Sequence, residues 1–175
     1  AKEATTAGLR VVGLDVGTAI VDGLNAGRSH VDDLSDDEIA AMVAAGFRAT
    51  TDATVIADAE TVVICVPTPL GEAGGPDLTA VRSAVAAIGN NLRRGQLVVL
   101  ESTTYPGTTE EVLLPMLEAG GLRAGKDFYL AFSPERVDPS NEQWNTKNIP
   151  KVVGGVDAAS TEVACALYQQ VVDTV

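Results

Sequence analysis

The sequence is poor in aromatic and in basic residues. Only 4% of its 175 residues are aromatic, so a hydrophobic core has to be built mainly from Val, Leu, Ile and Ala. That composition suits helices packed against buried parallel strands. Its 12 Lys and Arg stand against 24 Asp and Glu, which gives a formal net charge of -12. Such a surface repels phosphate backbones and anionic lipid, so we expect neither nucleic acid nor a membrane as a partner.

Residues typical of imidazole, disulfide or metal chemistry are also few. The single histidine, His30, lies in an acidic loop, which argues against a mechanism that needs a catalytic imidazole. Cys65, in an apolar run, and Cys165, in a predicted helix, are expected to be reduced core residues. The acidic run from Asp32 to Asp37 lacks the regular spacing of a metal-binding loop, so no metal site is predicted.

Long apolar segments are absent as well. No apolar run in the sequence approaches the roughly 20 residues that span a bilayer. The first residues lack the basic and apolar regions of a signal peptide. The expected location is therefore the cytoplasm.

The chain does contain an alternation of short β-branched runs with helical patterns, which is typical of βαβ units on a parallel sheet. Strands are predicted over residues 9–14, 47–50, 61–66, 97–100, 128–132 and 151–153. The longer helices are predicted over residues 36–45 and 78–92, from residue 108 onward, and over residues 157–170. Capping boxes formed by Ser35 with Glu38 and by Thr108 with Glu111 are predicted to open two of these helices.

One motif of dinucleotide-binding folds is missing. Such folds carry Gly-x-Gly-x-x-Gly at the first strand–helix turn, about 20 residues before an acid that binds the ribose. No such motif occurs here, and only 14 residues precede Asp15, the acid after the first predicted strand. The pattern predicts an α/β fold with a Rossmann-like, doubly wound parallel sheet that lacks the first strand and the glycine fingerprint. Because that strand lies in mid-sheet, strands 9–14 and 61–66 are expected to have open apolar edges.

Open parallel sheets bind ligands beyond the carboxyl ends of their strands, and polar residues follow several predicted strands here. Asp15 can accept hydrogen bonds from an adenosine ribose, and its charge disfavours a 2′-phosphate, which favours NAD over NADP. The alternative is a helix cap or an ordinary loop aspartate. Thr68 follows Pro67 in a sharp turn that exposes its hydroxyl, although an ordinary loop role is the alternative.

Two further strand ends carry candidate residues. The hydroxyls of Ser102, Thr103 and Thr104 can position a water molecule or a diphosphate, and hydroxyls also cap helices. Glu135 can act as a general base or position a nucleophilic water. Its alternative role is an ion pair with Arg136.

Six segments together resemble the UDP-glucose/GDP-mannose dehydrogenase family, and within it the UDP-N-acetylhexosamine 6-dehydrogenase branch. They occur in the family's order and approximate spacing: Val12-Gly13-Leu14-Asp15, Leu24-Asn25-Ala26-Gly27, Ile64-Cys65-Val66-Pro67-Thr68-Pro69, Glu101-Ser102-Thr103-Thr104-Tyr105-Pro106-Gly107-Thr108-Thr109, Phe132-Ser133-Pro134-Glu135-Arg136 and Lys151-Val152-Val153-Gly154-Gly155. Each segment alone is weak, whereas six in order across nearly the whole chain form a specific pattern.

The resemblance implies two successive oxidations of a sugar C6 alcohol to a carboxylate, with NAD as cofactor, in nucleotide-sugar metabolism and polysaccharide biosynthesis. By position, the resemblance implies these cofactor-binding residues: Asp15 at the adenosine ribose, Val66, Pro67, Thr68, Ser102 and Thr103. It implies that Thr103 and Glu135 are catalytic, with Thr103 near the nicotinamide and Glu135 in the handling of water or a proton. It also implies that Glu135, Arg136 and Val137 bind the nucleotide-sugar.

The family's nucleophilic cysteine and essential lysine belong to segments beyond Val175, and neither Cys65 nor Cys165 matches that cysteine's place. Residues 1–175 are therefore expected to be a partial NAD-binding domain, without the central helix and the C-terminal substrate domain of a longer protein. This chain alone is predicted to be inactive. The full-length protein is expected to form a homodimer or a higher homo-oligomer and to oxidise UDP-N-acetylglucosamine, UDP-N-acetylmannosamine or UDP-glucose.

Two other functions stay open at this point. A non-catalytic nucleotide-binding or regulatory Rossmann-like domain would keep the fold and lose the chemistry. Another NAD-linked dehydrogenase, for instance one that acts on small hydroxy acids, is disfavoured by the sequences of residues 102–107 and 133–136.

Overall fold

A computed structural model describes residues 1–71, 74–135 and 147–175 of the chain. The strands in these ranges are β1 (Val12–Leu14), β2 (Arg48–Thr50), β3 (Thr61–Ile64), β4 (Leu97–Leu100), β5 (Tyr129–Phe132) and β6 (Gly154–Gly155). The α-helices are α1 (Lys2–Thr6), α2 (Thr18–Asn25), α3 (Asp36–Ala44), α4 (Thr79–Asn91), α5 (Leu114–Glu118) and α6 (Ala158–Tyr168). A 3₁₀-helix (Ala53–Asp58) precedes β3, and a π-helical turn (Thr109–Leu113) leads into α5.

The chain divides into two compact units. The first unit consists of Ala1–Ala53 with residues 147–149 and Gln170–Asp173. The second unit holds residues 54–135, apart from 72–73, together with Pro150–Gln169 and Thr174–Val175. Each unit has its own sheet, and each is described separately below.

The first unit is built around a parallel pair of strands, β1 and β2, in which Gly13 is aligned with Ala49. A Cβ at residue 13 would lie 3.1 Å from the ring of Phe47, so a larger residue there would require the ring to shift. The apolar faces of α2 and α3 cover this pair. The buried core residues are Val21, Leu24, Ile39, Met42, Phe47 and Ala49.

Side-chain hydrogen bonds stabilise the end of α2 and the start of α3 in the first unit. The side-chain amide of Asn25 donates to the Ala49 carbonyl at 2.9 Å and accepts from the Ala49 amide at 2.8 Å, which attaches the end of α2 to β2. Ser35 and Glu38 form the capping box that the sequence predicts, and it satisfies backbone donors at the start of α3. This prediction is confirmed.

In the second unit, β4 lies between β3 and β5, and all three strands run parallel. Every residue of β4 is at most 2% exposed, as expected for a strand covered on both faces. Helix α4 buries Val81, Val85 and Ile88, the apolar positions expected from helical periodicity. Helix α6 packs against β4, β5 and β6.

Several predicted elements differ from the observed ones. Strand 97–100 is confirmed at both ends, whereas β1, β2, β3 and β5 are shorter than predicted. The strand predicted over residues 151–153 is wrong: the pairing with β5 is made by Gly154–Gly155, and it is antiparallel. The capping box of Thr108 with Glu111 is also wrong, because the Thr108 hydroxyl donates to the Tyr105 carbonyl at 2.7 Å and caps no helix.

The two open edges expected from the sequence are present in the described parts of the chain. There, β1 pairs only with β2. Strand β3 pairs with β4 on one side and with no described strand on the other. Leu14 of β1 and Val63 of β3 are each 41% exposed. Unpaired apolar edges of this kind promote association with another strand.

Candidate functional site

The carboxyl ends of β3, β4 and β5 meet at one edge of the second unit's sheet. The register aligns Ile64, Leu100 and Phe132, the last residues of the three strands. The predicted site residues Pro67, Thr103 and Glu135 each come three positions after one of these residues. Because neighbouring strands lie about 5 Å apart, the three chain segments leave the sheet side by side. The topology thus brings these predicted residues to a common edge.

Hydrogen bonds join the loops that follow β3 and β4. The Thr68 hydroxyl donates to the Thr103 carbonyl at 2.6 Å, and the Ser102 hydroxyl donates to the Val66 carbonyl at 2.7 Å. Ser102 is 6% exposed, so its hydroxyl is buried and bonds within the protein. Thr103 is exposed, and its side chain is accessible to a ligand. The loops therefore form one linked edge that presents Thr103 to solvent.

Glu135 is exposed and follows Ser133, which is fully buried. The Ser133 amide donates to the Leu100 carbonyl at 3.0 Å and its hydroxyl donates to the Val152 carbonyl at 2.9 Å. These bonds hold the chain just before Glu135 at the end of β5. The predicted residues Arg136 and Val137 lie outside the described residues.

Asp15 belongs to the first unit and follows β1 directly. Its amide donates to the Thr50 carbonyl at 3.1 Å, and its Oδ1 accepts from the Gly17 amide at 2.7 Å. Gly17 is the residue before α2, so the carboxylate stabilises the turn into that helix. This bond closes a turn before α2 and is not a helix cap, because Gly17 is the N-cap residue and no described side chain caps this helix.

Sequence reasoning missed a cluster of ionisable groups around Glu101. Oε1 of Glu101 accepts from the Tyr168 hydroxyl at 2.6 Å and pairs with Lys151 Nζ at 2.9 Å. Oε2 accepts from Cys65 Sγ at 3.5 Å. The Lys151 ammonium also lies 5.2 Å from the centre of the Tyr168 ring, within cation–π range. The separations along the chain give no local motif that would reveal this cluster.

Cys65 differs from the expected core residue. It is exposed and lies just after β3, and both Cys65 and Cys165 are free thiols. Desolvation raises the pKa of the Cys65 thiol to about 12, and the negative charge of Glu101 adds to the shift. The thiol is therefore protonated at neutral pH. Because only a thiolate is an effective nucleophile, Cys65 is not activated for nucleophilic attack.

A cleft of about 450 Å³ opens beside the same edge. One wall is the segment from Thr104 to Glu110, and the other contains Phe132 and residues 154–156. The cleft is open and lined by both apolar and polar groups. Its walls include chain that directly continues the Ser102–Thr103 segment.

Two kinds of site are not observed in the described parts of the chain. No group of three or more His, Cys, Asp or Glu side chains there is arranged to hold a metal ion. Among those same residues, no helix has the length and apolar character needed to cross a membrane.

Parallel strands flanked by helices, with linked hydroxyl-bearing loops after β3 and β4, are the arrangement found in α/β dinucleotide-binding domains. Comparison with known proteins identifies the particular group. Residues 2–172 match the model for the UDP-glucose/GDP-mannose dehydrogenase family, NAD binding domain. The chain belongs to this family.

Individual relatives carry nucleotide-sugar dehydrogenase names. The chain is 34% identical to UDP-N-acetyl-D-glucosamine 6-dehydrogenase of Salmonella typhi over 93% of its own length and 38% of the relative's. It superimposes on UDP-D-ManNAc dehydrogenase from Pyrococcus horikoshii with a TM-score of 0.92 and 32% identity, covering 99% of this chain and 42% of that one. GDP-mannose dehydrogenase from Pseudomonas aeruginosa gives a TM-score of 0.87 at 27% identity, with 99% and 42% coverage. The chain thus spans about two fifths of the length of these proteins.

These comparisons confirm three predictions: the family, the Rossmann-like α/β fold and NAD as the cofactor.

Proposed function

We propose that this chain is the NAD-binding part of a nucleotide-sugar 6-dehydrogenase. The complete enzyme would oxidise the C6 alcohol of a UDP-sugar to the uronate, with UDP-N-acetylglucosamine, UDP-N-acetylmannosamine or UDP-glucose as substrate. The observation that carries the proposal is the linked edge at the ends of β3 and β4, where Thr68 and Ser102 bond across the two loops. The relatives' names and the family match support the same reaction class.

Thr68, Thr103 and Asp15 carry hydroxyl and carboxylate groups, which can form hydrogen bonds with the phosphates and ribose of NAD. Two NAD molecules, bound one after the other, would supply the hydride-accepting chemistry of the two oxidations, and water would supply the second carboxylate oxygen. In our proposal Asp15 binds the adenosine ribose, and residues 66–68 with Ser102 and Thr103 line the dinucleotide site. Thr103 lies near the nicotinamide and positions water, and Glu135 assists in the transfer of a proton. Glu135, Arg136 and Val137 contact the nucleotide-sugar.

In this proposal the Ser102 hydroxyl bonds to the protein and not to NAD. Because that hydroxyl donates to the Val66 carbonyl, it sets the relative positions of the two loops. Thr103, which is exposed, supplies the side chain for direct contact.

The domain organisation stays a prediction: a partial NAD-binding domain that requires a substrate domain for catalysis. The chain alone is therefore expected to be inactive. The cytoplasmic location and the homo-oligomeric state of the full-length protein also remain predictions.

The decisive assay measures NADH formation by the full-length protein with a panel of UDP-sugars and GDP-mannose. Two NADH per sugar oxidised would support oxidation to the carboxylate. One NADH per sugar would indicate a simple alcohol dehydrogenase. No NADH with any sugar, in a protein that still binds NAD, would favour a non-catalytic nucleotide-binding domain.

A further inference from the structure

Glu101 connects four separate segments of the second unit through one carboxylate. The residue itself follows β4, and Cys65 follows β3. Tyr168 is the last residue of α6, and Lys151 lies shortly before β6. All three partners use side-chain atoms, so the connection depends on the carboxylate rather than on backbone pairing.

Stability alone gives a weak reason for this cluster. The side chains of Lys151 and Glu101 are 7% and 19% exposed, so both charges are largely removed from water. For such pairs the desolvation cost often cancels the electrostatic attraction, and apolar replacements of similar volume are often neutral or stabilising. A charged cluster at this place is better explained by the geometry that it imposes.

That geometry concerns the residues next to Glu101. The backbone amides of Glu101 and Ser102 both donate to the Ile64 carbonyl, at 2.9 and 3.2 Å. The carboxylate adds a second set of bonds directed to α6 and to the segment before β6. Glu101 is therefore held from two sides, and the orientation of the peptide that continues into Ser102 and Thr103 follows from both.

We propose that Glu101, held by Lys151 and Tyr168, is a positioning residue that fixes the Ser102–Thr103 segment for NAD binding. This inference rests on the proposed function, because it assumes that the cofactor contacts this segment. It adds Glu101 and Lys151 to the site, although neither was among the residues predicted from the sequence.

Glu101→Gln separates charge and acceptor capacity from side-chain shape. A carboxylate accepts on both oxygens, whereas an amide offers one acceptor oxygen and an NH₂ group that is only a donor. Either the Cys65 side or the Lys151 side of the cluster must then lose its acceptor. The double variant Glu101→Gln/Lys151→Met removes both charges, so no unpaired ammonium is left buried. Glu118→Gln is the matched control, because it makes the same change in a pair whose Arg123 partner is 60% exposed.

The test compares these variants with the wild-type chain in two measurements. Amide hydrogen exchange at Ser102 is read against Val99, a fully buried β4 residue that reports general destabilisation. Isothermal titration calorimetry gives the Kd for NAD. In Glu101→Gln we expect exchange at Ser102 relative to Val99 to rise about tenfold, and the Kd to rise about tenfold, the effect of one lost charge-assisted hydrogen bond. The control should match the wild type in both.

The double variant separates positioning from stability. We expect it to recover thermal stability relative to Glu101→Gln, yet to keep the raised Ser102 exchange and the raised Kd. Recovery of wild-type exchange and Kd in the double variant would overturn the proposal, and so would wild-type values of either quantity in Glu101→Gln. If the wild-type chain does not bind NAD, the proposed function of this chain fails, and an unchanged exchange ratio would show separately that Glu101 does not position the segment.

Discussion

The two units keep their strands in place by different means. In the first unit, β1 and β2 have three residues each, and Leu14 at the end of β1 is 41% exposed. In the second unit, β4 has a strand on each side and is almost completely buried. The first unit therefore adds a helix cap and the Asn25 bonds to its apolar core, whereas the second depends on a central apolar strand. The linked loops of the candidate site belong to the more buried sheet.

The largest effect that this comparison predicts is for Leu100→Ala in β4. Removal of a fully buried leucine side chain costs about 2–5 kcal/mol. The matched control is Leu14→Ala in β1, which should cost under about 1 kcal/mol because the side chain is already partly in water. Amide hydrogen exchange at Val99 and at Ala49 measures the two effects. Equal losses in both variants would show that burial in the two sheets does not differ as described.

The next effect tests the attachment of α2 in the first unit. Asn25→Ala leaves both the amide and the carbonyl of buried Ala49 without their side-chain partner. Leaving such groups unsatisfied costs about 1–3 kcal/mol. We expect the Ala49 amide to exchange faster while the Val99 amide keeps its wild-type rate. An unchanged Ala49 rate would rule out the structural role assigned to Asn25.

A smaller effect is expected at the start of α3. Ser35→Ala removes the hydroxyl that accepts from the Glu38 amide and should cost about 1 kcal/mol. Ser35→Thr keeps a hydroxyl at the cap and should lose less. Exchange of the Ile39 amide distinguishes the two variants, and identical rates in both would contradict the capping role.

The acid sensitivity of the first unit should be the mildest of these effects. The hydrogen bond from Lys2, followed by the bonds from the Ser35 amide and hydroxyl, lowers the pKa of Glu38 to about 2 from an ordinary 4.5. A carboxyl with a lowered pKa in the folded state stabilises fully above its unfolded value and loses that contribution as the pH falls towards 2. Glu38→Gln should therefore flatten the pH dependence of the Ile39 protection factor between pH 4.5 and 2. The protection factor compares the exchange rate of the amide with its rate in an unfolded chain. A slope equal to that of the wild type would exclude Glu38 as a source of acid sensitivity.

Local patterns predicted the elements that are locally determined. The run of four apolar residues, 97–100, predicted both ends of β4 correctly. The spacing of Ser35 and Glu38 predicted the cap of α3. The alternation of strand and helix patterns predicted the fold, the family resemblance agreed with it, and the comparisons confirm it. These features depend on residues close together in sequence, or on a pattern shared across the whole chain.

The errors arose where distant partners decide the structure. The predicted strand 151–153 includes Lys151, whereas the Lys151 side chain pairs with Glu101 and the strand begins at Gly154. Cys65 is predicted to be a core residue, whereas β3 ends one residue before it and Cys65 is exposed. Glu101 contacts Cys65, which is 36 positions away in the sequence, and Tyr168, which is 67 positions away. No local periodicity encodes such contacts.

The central claim is that NAD contacts the linked loops after β3 and β4. Titration of the ¹⁵N-labelled chain with NAD, followed by amide NMR shifts, tests this directly. We predict the largest shifts at Thr68, Ser102 and Thr103, with a further group at Asp15. Saturable shifts confined to other residues, or no saturable shifts at all, would contradict the account.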